Sequence, residues 1–443
     1  MNKSRGLRLV KLLAEMFSQL IMNPFAFLRR VLIGFMHVLD NLHYSQYLKR
    51  LPNVDPLNLT IDPGKADCPT LNVLIPGMSM QHMSGGPNTA INLAYRLAAK
   101  GIPVRFISTN AAADNNHDLL WKHFSSLTGI PERLANVEIC CGADRSKLLT
   151  IGENDVFFGT AWWTVQLIKY ALPLIKPRKF IYLIQEFEPG LYEFSSRYAL
   201  ALETYHMNFF GIINERFLAD YLCEYKIGRF ANPKFIDSCA IFQPALDAQK
   251  FYPVQKKNIS RSRRLLFYAR PNAPRNLFEL GLNALQIAAD QNVFSGEEWE
   301  LLFIGESLPD IKLGHNLIIR SAPWMVYEDY AELVRNSDIA LSLMLSPHTS
   351  YPPLEMAACG GIAVTCSFAS KTQQMLQQLS LNIIAVPPTV EGIVAGLQDA
   401  VKRVQEDQRT HELLHMPSTW DESFSQVVPK LAEMFYDCQR PGD

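Results

Sequence analysis

A chain of 443 residues in which 42 basic side chains face 43 acidic ones carries a formal charge of -1, and this excludes the strongly basic surface that nucleic-acid binding requires. On a scale of about 150 residues per domain, the length gives two or three domains with cores of their own. The 8 cysteines show no repeated metal-ligand spacing and two of them, Cys140 and Cys141, are adjacent, so reduced thiols are expected rather than zinc sites or disulfides.

Residues 1–64 read as a basic helical extension. Lys3, Arg5, Arg8, Lys11, Arg29, Arg30, Lys49 and Arg50 stand against only Glu15 and Asp40, and Leu7, Val10, Leu13, Phe17 and Leu20 recur at helical spacing. Arg29 and Arg30 interrupt the apolar run 25–39, so no stretch of about twenty apolar residues is left to span a membrane. The segment either lies on an anionic membrane surface or packs as a helical pair on the protein itself. No small-residue cleavage site follows it, and a signal peptide is not expected. A linker at 52–68, rich in Pro and Asp, leads out of it.

From 65 to 250 short apolar runs at 71–76, 103–108, 155–158, 180–184, 210–213 and 238–242 alternate with helical patterns at 87–100, 117–125, 164–175, 197–205 and 215–225. Such alternation predicts a parallel sheet covered by helices on both faces. After a polar linker at 255–263, a second series fills 251–407, with strands at 265–269, 300–304, 316–319, 338–345, 362–365 and 382–386 and helices at 277–290, 327–336 and 391–405. Residues 408–443 contain a broken segment and a last helix, 424–438, with no obvious place in the second layer.

Ligands of open α/β sheets lie beyond the carboxyl ends of the strands, so the strand-to-helix loops are the candidate site. Gly85 and Gly86 allow close backbone approach before the helix at 87–100, and His82 beside them is a candidate general base or a solvated loop residue. Trp162 and Trp163 follow the strand 155–158; one of the pair is expected to offer its face to a sugar ring and the other to enter the core. Glu186 and Glu188 sit at i and i+2 after the strand 180–184. In an extended segment they share a side, and mutual repulsion would raise one pKa toward the range a base needs. Arg270 and Arg275 follow the first strand of the second series, where guanidinium forks suit phosphate oxygens, and Gly305 ends the next strand and shapes the pocket.

The most informative stretch is Ser346-Pro-His-Thr-Ser-Tyr-Pro-Pro-Leu-Glu-Met-Ala-Ala-Cys-Gly-Gly-Ile-Ala-Val364. Pro352 and Pro353 fit the first turn of a helix, whose amino end with its free N–H groups favours an anion. Glu355, one turn in, is either a favourable first-turn acid or an acceptor of hydrogen bonds from neutral hydroxyls. The run Pro352-Pro-Leu-Glu-Met-Ala-Ala-Cys-Gly-Gly361 resembles the nucleotide-sugar signature of family 4-like GT-B glycosyltransferases. That resemblance implies a ribose contact for Glu355. The family's second Glu, which contacts the donor sugar, falls on Pro347 here, so the contact is expected from His348, Thr349, Ser350 or Tyr351, or the donor differs and is a deoxysugar.

Gln185-Glu-Phe-Glu-Pro189, with 195–205 after it, is similar to the bacterial rhamnosyltransferases of S-layer glycan and polysaccharide assembly, the WsaF type. The resemblance implies an α/β GT-B fold of two Rossmann-like doubly wound domains facing across a cleft, with 408–443 returning to the first domain. It implies transfer of a sugar, rhamnose from dTDP-rhamnose, to an oligosaccharide or lipid-linked glycan at the cytoplasmic side of a membrane. Either Glu186 or Glu188 as base suits inversion; without a true base, front-side retention follows. The chain has no Asp-x-Asp pair, so no metal or other cofactor is expected and Arg270 and Arg275 are to neutralise the diphosphate. The rival expectations are a GT-B sugar-nucleotide epimerase and a noncatalytic sugar-binding protein.

Overall fold

The computed structural model describes residues 32, 54–79, 85–113, 117–131, 133–254, 262–314, 317–323, 325–408 and 414–439. The basic stretch 1–50 (Leu32 apart), with its helical-extension and membrane readings, and His82 lie outside the described residues. The chain divides into Met1–Asp55 and Pro56–Asp443, and everything below belongs to the second unit.

Its first half runs β1 (Leu59–Ile61), β2 (Leu71–Ile75), α1 (Gly86–Ala98), β3 (Val104–Ser108), α2 (His117–Thr128), β4 (Val137–Cys141), β5 (Leu149–Ile151), β6 (Val156–Gly159), α3 (Trp162–Ala171), β7 (Phe180–Ile184), α4 (Ser196–Thr204), β8 (Phe209–Asn214), α5 (Arg216–Glu224) and β9 (Ala240–Phe242). The strands align as β4-β3-β2-β6-β7-β8-β9, all parallel. Every residue of β2, β3 and β7 is buried, as runs without a solvent face must be when helices cover both sides. β4 was not among the expected strands; its run Val-Glu-Ile-Cys-Cys carries an exposed acid, only Val137 is buried, and Glu138 accepts a hydrogen bond from Arg105 Nε at 2.7 Å. The expected linker at 52–68 contains β1, which pairs with β5 in parallel, so the compact unit starts at Pro56 rather than at residue 65.

The second half runs β10 (Arg263–Ala269), α6 (Phe278–Asp290), β11 (Trp299–Gly305), β12 (Ile311–Lys312), β13 (Ile318–Ser321), α7 (Tyr327–Arg335), β14 (Ile339–Leu341), α8 (Tyr351–Ala358), β15 (Ile362–Cys366), α9 (Gln373–Gln377), β16 (Ile383–Val386), α10 (Val390–Gln405), α11 (Trp420–Phe424) and α12 (Val427–Gln439). The sheet order β12-β13-β11-β10-β14-β15-β16 is parallel except for the antiparallel β12 edge. β14 is shorter than the expected 338–345. After Leu341 only Ser342 still donates to Val364, at 2.9 Å. The carbonyls of Leu343 and Met344 accept from the side chains of Asn276 and Lys371 instead. Side chains thus replace the ladder where the chain turns toward the other sheet.

Each sheet reverses its winding once, between β2 and β6 and between β10 and β14. Those reversals are where a crevice opens at the strand ends. The expected last helix is broken at Ser425 into α11 and α12. α12 inserts Val428, Leu431, Met434, Phe435 and Cys438 into the core that holds Val73, Phe106 and Phe158 of the first sheet. Each such buried side chain contributes about 1.5–3 kcal/mol.

Candidate active site

The chain turns out of β7 through Gln185, Glu186, Phe187 and Glu188. An extended course would put both carboxylates on one side, but Pro189 and Gly190 start a 3-10 turn at Glu188–Leu191 and the two side chains diverge. Glu188 turns inward. Its Oε2 accepts from the backbone N–H of Trp162 at 2.6 Å and from the Tyr182 hydroxyl at 3.2 Å, so it satisfies a free donor at the start of α3. Burial pushes its carboxyl pKa up to about 8; the Trp162 and Tyr182 hydrogen bonds oppose the rise and the Glu186 charge adds to it.

Glu186 faces the cleft. Its Oε1 accepts from the Ser346 hydroxyl of the second sheet's loop and from Phe187 N, and its Oε2 lies 3.9 Å from Arg275 Nε. That Nε is buried without a hydrogen-bond partner. Glu186, Arg275, Ser346 and Pro347 line a cavity of about 160 Å3, together with Phe187, Tyr221 and Phe368. The expected carboxylate pair is therefore a single cleft carboxylate paired with a cation from the facing domain.

The segment that follows β14 is held from several sides. Thr349 N and Oγ1 both donate to Glu215 Oε1 at 2.7 Å, and Glu215 Oε2 accepts from Gln243 at 2.8 Å. Lys371 Nζ donates to the carbonyls of Met344 at 3.1 Å and His348 at 3.2 Å. Within the loop, Ser346 Oγ accepts from His348 N, and His348 Nδ1 accepts from Ser350 N at 3.0 Å, which leaves the imidazole proton on a buried Nε2 without a partner. Ser350 is held at φ +69°, in the left-handed region. Thr349 was an expected donor contact, yet its backbone N–H and its hydroxyl are both committed to Glu215.

Glu215 and Lys371 were not among the expected residues. Both follow strands, β8 and β15, so the strand-end rule that selected the other loops reaches them too. Glu355, inside α8, is buried and accepts from the Tyr330 hydroxyl at 2.6 Å. Burial raises its pKa to about 7, against the effect of that bond. Burial, with the charges of Glu215 and Glu355, also pushes the Tyr351 phenol up.

The remaining candidates are distributed as follows. Arg270 is partly exposed, with Nε 3.8 Å from Glu306. Gly305 has φ +109°, and a Cβ there would meet the Ala269 carbonyl at 2.9 Å, so the end of β11 admits no side chain without movement. Gly85 has φ +51°, and the Gly86 carbonyl accepts from Gln185 Nε2 at 3.2 Å, which ties the glycine loop to the residue before Glu186. Trp162 is a core residue, 2 % exposed, with Nε1 donating to Tyr192 at 3.0 Å. Trp163 packs edge-on against it and is half-buried, its Nε1 without a partner. Among the described residues no group of His, Cys, Asp and Glu could hold a metal ion, and no helix is long and apolar enough to cross a membrane.

Two Rossmann-like sheets whose strand-end loops line one cavity define the GT-B architecture. The solved structure of HepE from Anabaena, in complex with UDP and glucose, superimposes with a TM-score of 0.50 at 10% identity over 83% of this chain and 99% of its own. WaaG, described as a glycosyltransferase involved in lipopolysaccharide biosynthesis, gives 0.49 at 13% identity, with 82% and 99% covered. The sequence matches the WsaF N-terminal domain over residues 70–214 and the WsaF C-terminal domain over residues 263–398. This chain therefore belongs to the WsaF family of GT-B glycosyltransferases. It is also 32% identical over 249 residues to the O-antigen biosynthesis protein RfbC of Myxococcus xanthus; the match takes in 56% of this chain and 18% of that longer protein.

Proposed function

We propose that the protein moves a sugar from a nucleoside diphosphate, seated against the second sheet, to a hydroxyl of a glycan acceptor on the first. The observation that carries this reading is the meeting of Glu186 with Arg275 and Ser346 on one cavity. A donor diphosphate would draw Arg275 away from Glu186 and Arg270 away from Glu306. The freed carboxylate then takes the acceptor proton as the bond from the anomeric carbon to the diphosphate oxygen breaks. Fixed guanidinium charges offset the charge that grows on the departing diphosphate, a task given to these side chains and not to a metal ion. Glu355, oriented by Tyr330, is assigned the ribose hydroxyls. A base at Glu186 fits inversion at the anomeric carbon.

The proposed donor is dTDP-rhamnose, supported by the likeness of 185–205 to rhamnosyltransferases. Cell-surface polysaccharide assembly is the proposed setting, supported by the name of the Myxococcus relative. The basic residues 1–50 are proposed to hold the enzyme at the cytoplasmic membrane face, which sedimentation with anionic vesicles checks. The deciding experiment combines purified protein, dTDP-rhamnose and cell-surface oligosaccharides, with dTDP release and glycan mass as readouts. Elongation by one deoxyhexose is expected. Nucleotide release without elongation, or an epimerised nucleotide sugar formed without acceptor, overturns transfer.

A further inference from the structure

Lys371 has no exposed surface and closes a single-bridge turn with Phe368 just past β15. A lysine in such a place is expensive to charge unless its N–H donors find acceptors and nearby charges answer it. Both conditions hold. The two carbonyls it binds, Met344 and His348, bracket the segment whose Ser346 and Pro347 form one wall of the cavity. Ser346 in turn donates to Glu186. The groups that act on the ammonium come from three strand ends: Cys366, the last residue of β15, Glu186 after β7 and Glu215 after β8.

We propose that Lys371 is a positioning residue for sugar transfer: its buried ammonium fixes the loop between Met344 and His348, and through Ser346 the direction in which Glu186 points. The inference rests on the transferase reading above. Lys371 itself touches neither substrate in this arrangement; it acts through two backbone carbonyls that β14 no longer pairs. Burial lowers its pKa to about 8, with the three neighbouring groups opposing. The ammonium therefore gives up a proton just above neutrality and keeps only a neutral amine for its two carbonyls.

That titration separates activity from stability. As pH rises through about 8 the folded protein sheds the proton, whereas an unfolded lysine keeps it until about 10.4. Deprotonation thus relieves the burial of a charge, and between those values the fold gains stability as pH rises while the bonds to the two loop carbonyls lose their charge assistance and weaken.

The test compares wild-type protein with Lys371→Met, using dTDP binding, kcat and melting temperature across about pH 7 to 9. Wild-type kcat is expected to fall through about pH 8, while the wild-type melting temperature rises relative to that of Lys371→Met, in which Glu188 and Glu355 titrate as before. Lys371→Met should lose on the order of a hundredfold in kcat, keep its affinity for dTDP, and show no alkaline limb in the activity that remains. An unchanged alkaline limb in the variant, or a loss of dTDP affinity equal to the loss of kcat, overturns the inference. If the variant does not fold, a wild-type kcat that stays flat across that range overturns it as well. A wild-type protein that binds no dTDP at any pH brings down the transferase reading and this inference together, whereas binding with a flat profile brings down this inference alone.

Discussion

The two lips of the cleft are made of opposite charge. The first-sheet lip meets the cleft with Glu186, backed by the buried Glu215, whereas the second-sheet lip meets it with Arg275, backed by the buried Lys371 and with Arg270 nearby. Each lip suits a different partner. An anionic nucleoside diphosphate belongs with cations, and a neutral hydroxyl that must lose a proton belongs with a carboxylate. The lips answer each other across the cavity, so in the proposed reaction the contacts that close the cleft are the ones substrates replace.

The largest effect expected from breaking this asymmetry comes from Glu186→Gln, which keeps the shape and removes the proposed base. Transfer should fall on the order of a thousandfold in kcat, with dTDP affinity kept or improved because Arg275 loses its competitor. Glu188→Gln is the contrast: near-normal kcat and, since burial holds the Glu188 carboxyl at about 8, a melting temperature above wild type at alkaline pH. Equal losses in the two variants would show that the carboxylates do not divide their roles as their directions imply.

Next in size, Arg275→Ala should weaken dTDP binding by roughly tenfold to a hundredfold, measured by titration calorimetry, with a smaller loss for the more exposed Arg270→Ala. Glu215→Ala leaves the Thr349 donors and Gln243 unanswered and should cost about 1–3 kcal/mol of unfolding free energy, read by urea denaturation, with a fall in kcat as the loop loosens. The smallest change tests Glu355. Its folded pKa of about 7 lies above the usual value of 4.5, so its contribution to stability is present in acid and is lost as pH rises through about 7. Glu355→Gln should match wild type near about pH 4 and exceed it by on the order of 1 kcal/mol near about pH 8, while dTDP binding declines.

The alternation of strands and helices was legible because β2, β3, β7 and β15 are buried on both faces and therefore mostly apolar, with Asn72, Arg105, Ser108 and Thr365 as buried polar exceptions. The edge strand β4 was not, since it is open to solvent: only Val137 is buried and Glu138 is exposed. At the site, the strand-end rule brought out Glu186, Arg275 and the loop that opens at Ser346 one at a time, without singling out Ser346, and nothing in a linear pattern pairs residues 186 and 346. The divergence of Glu186 from Glu188 was written in Pro189-Gly190, a turn signal that ends the extended run. Glu215 looks like any acid at a helix start; only the approach of Thr349 from the other domain makes it an anchor. Lys371, in a short polar stretch, has the spelling of a surface turn, and its burial follows from tertiary packing alone.

The placement of α12 has a consequence for how the molecule is made. Leu431, Met434 and Phe435 complete the core of the first sheet, yet they are translated after every strand of the second. While the chain is still on the ribosome, the first sheet waits with one face uncovered. The half synthesised first is thus the half finished last, and a nascent chain stalled before residue 427 would offer that apolar face to chaperones or to aggregation.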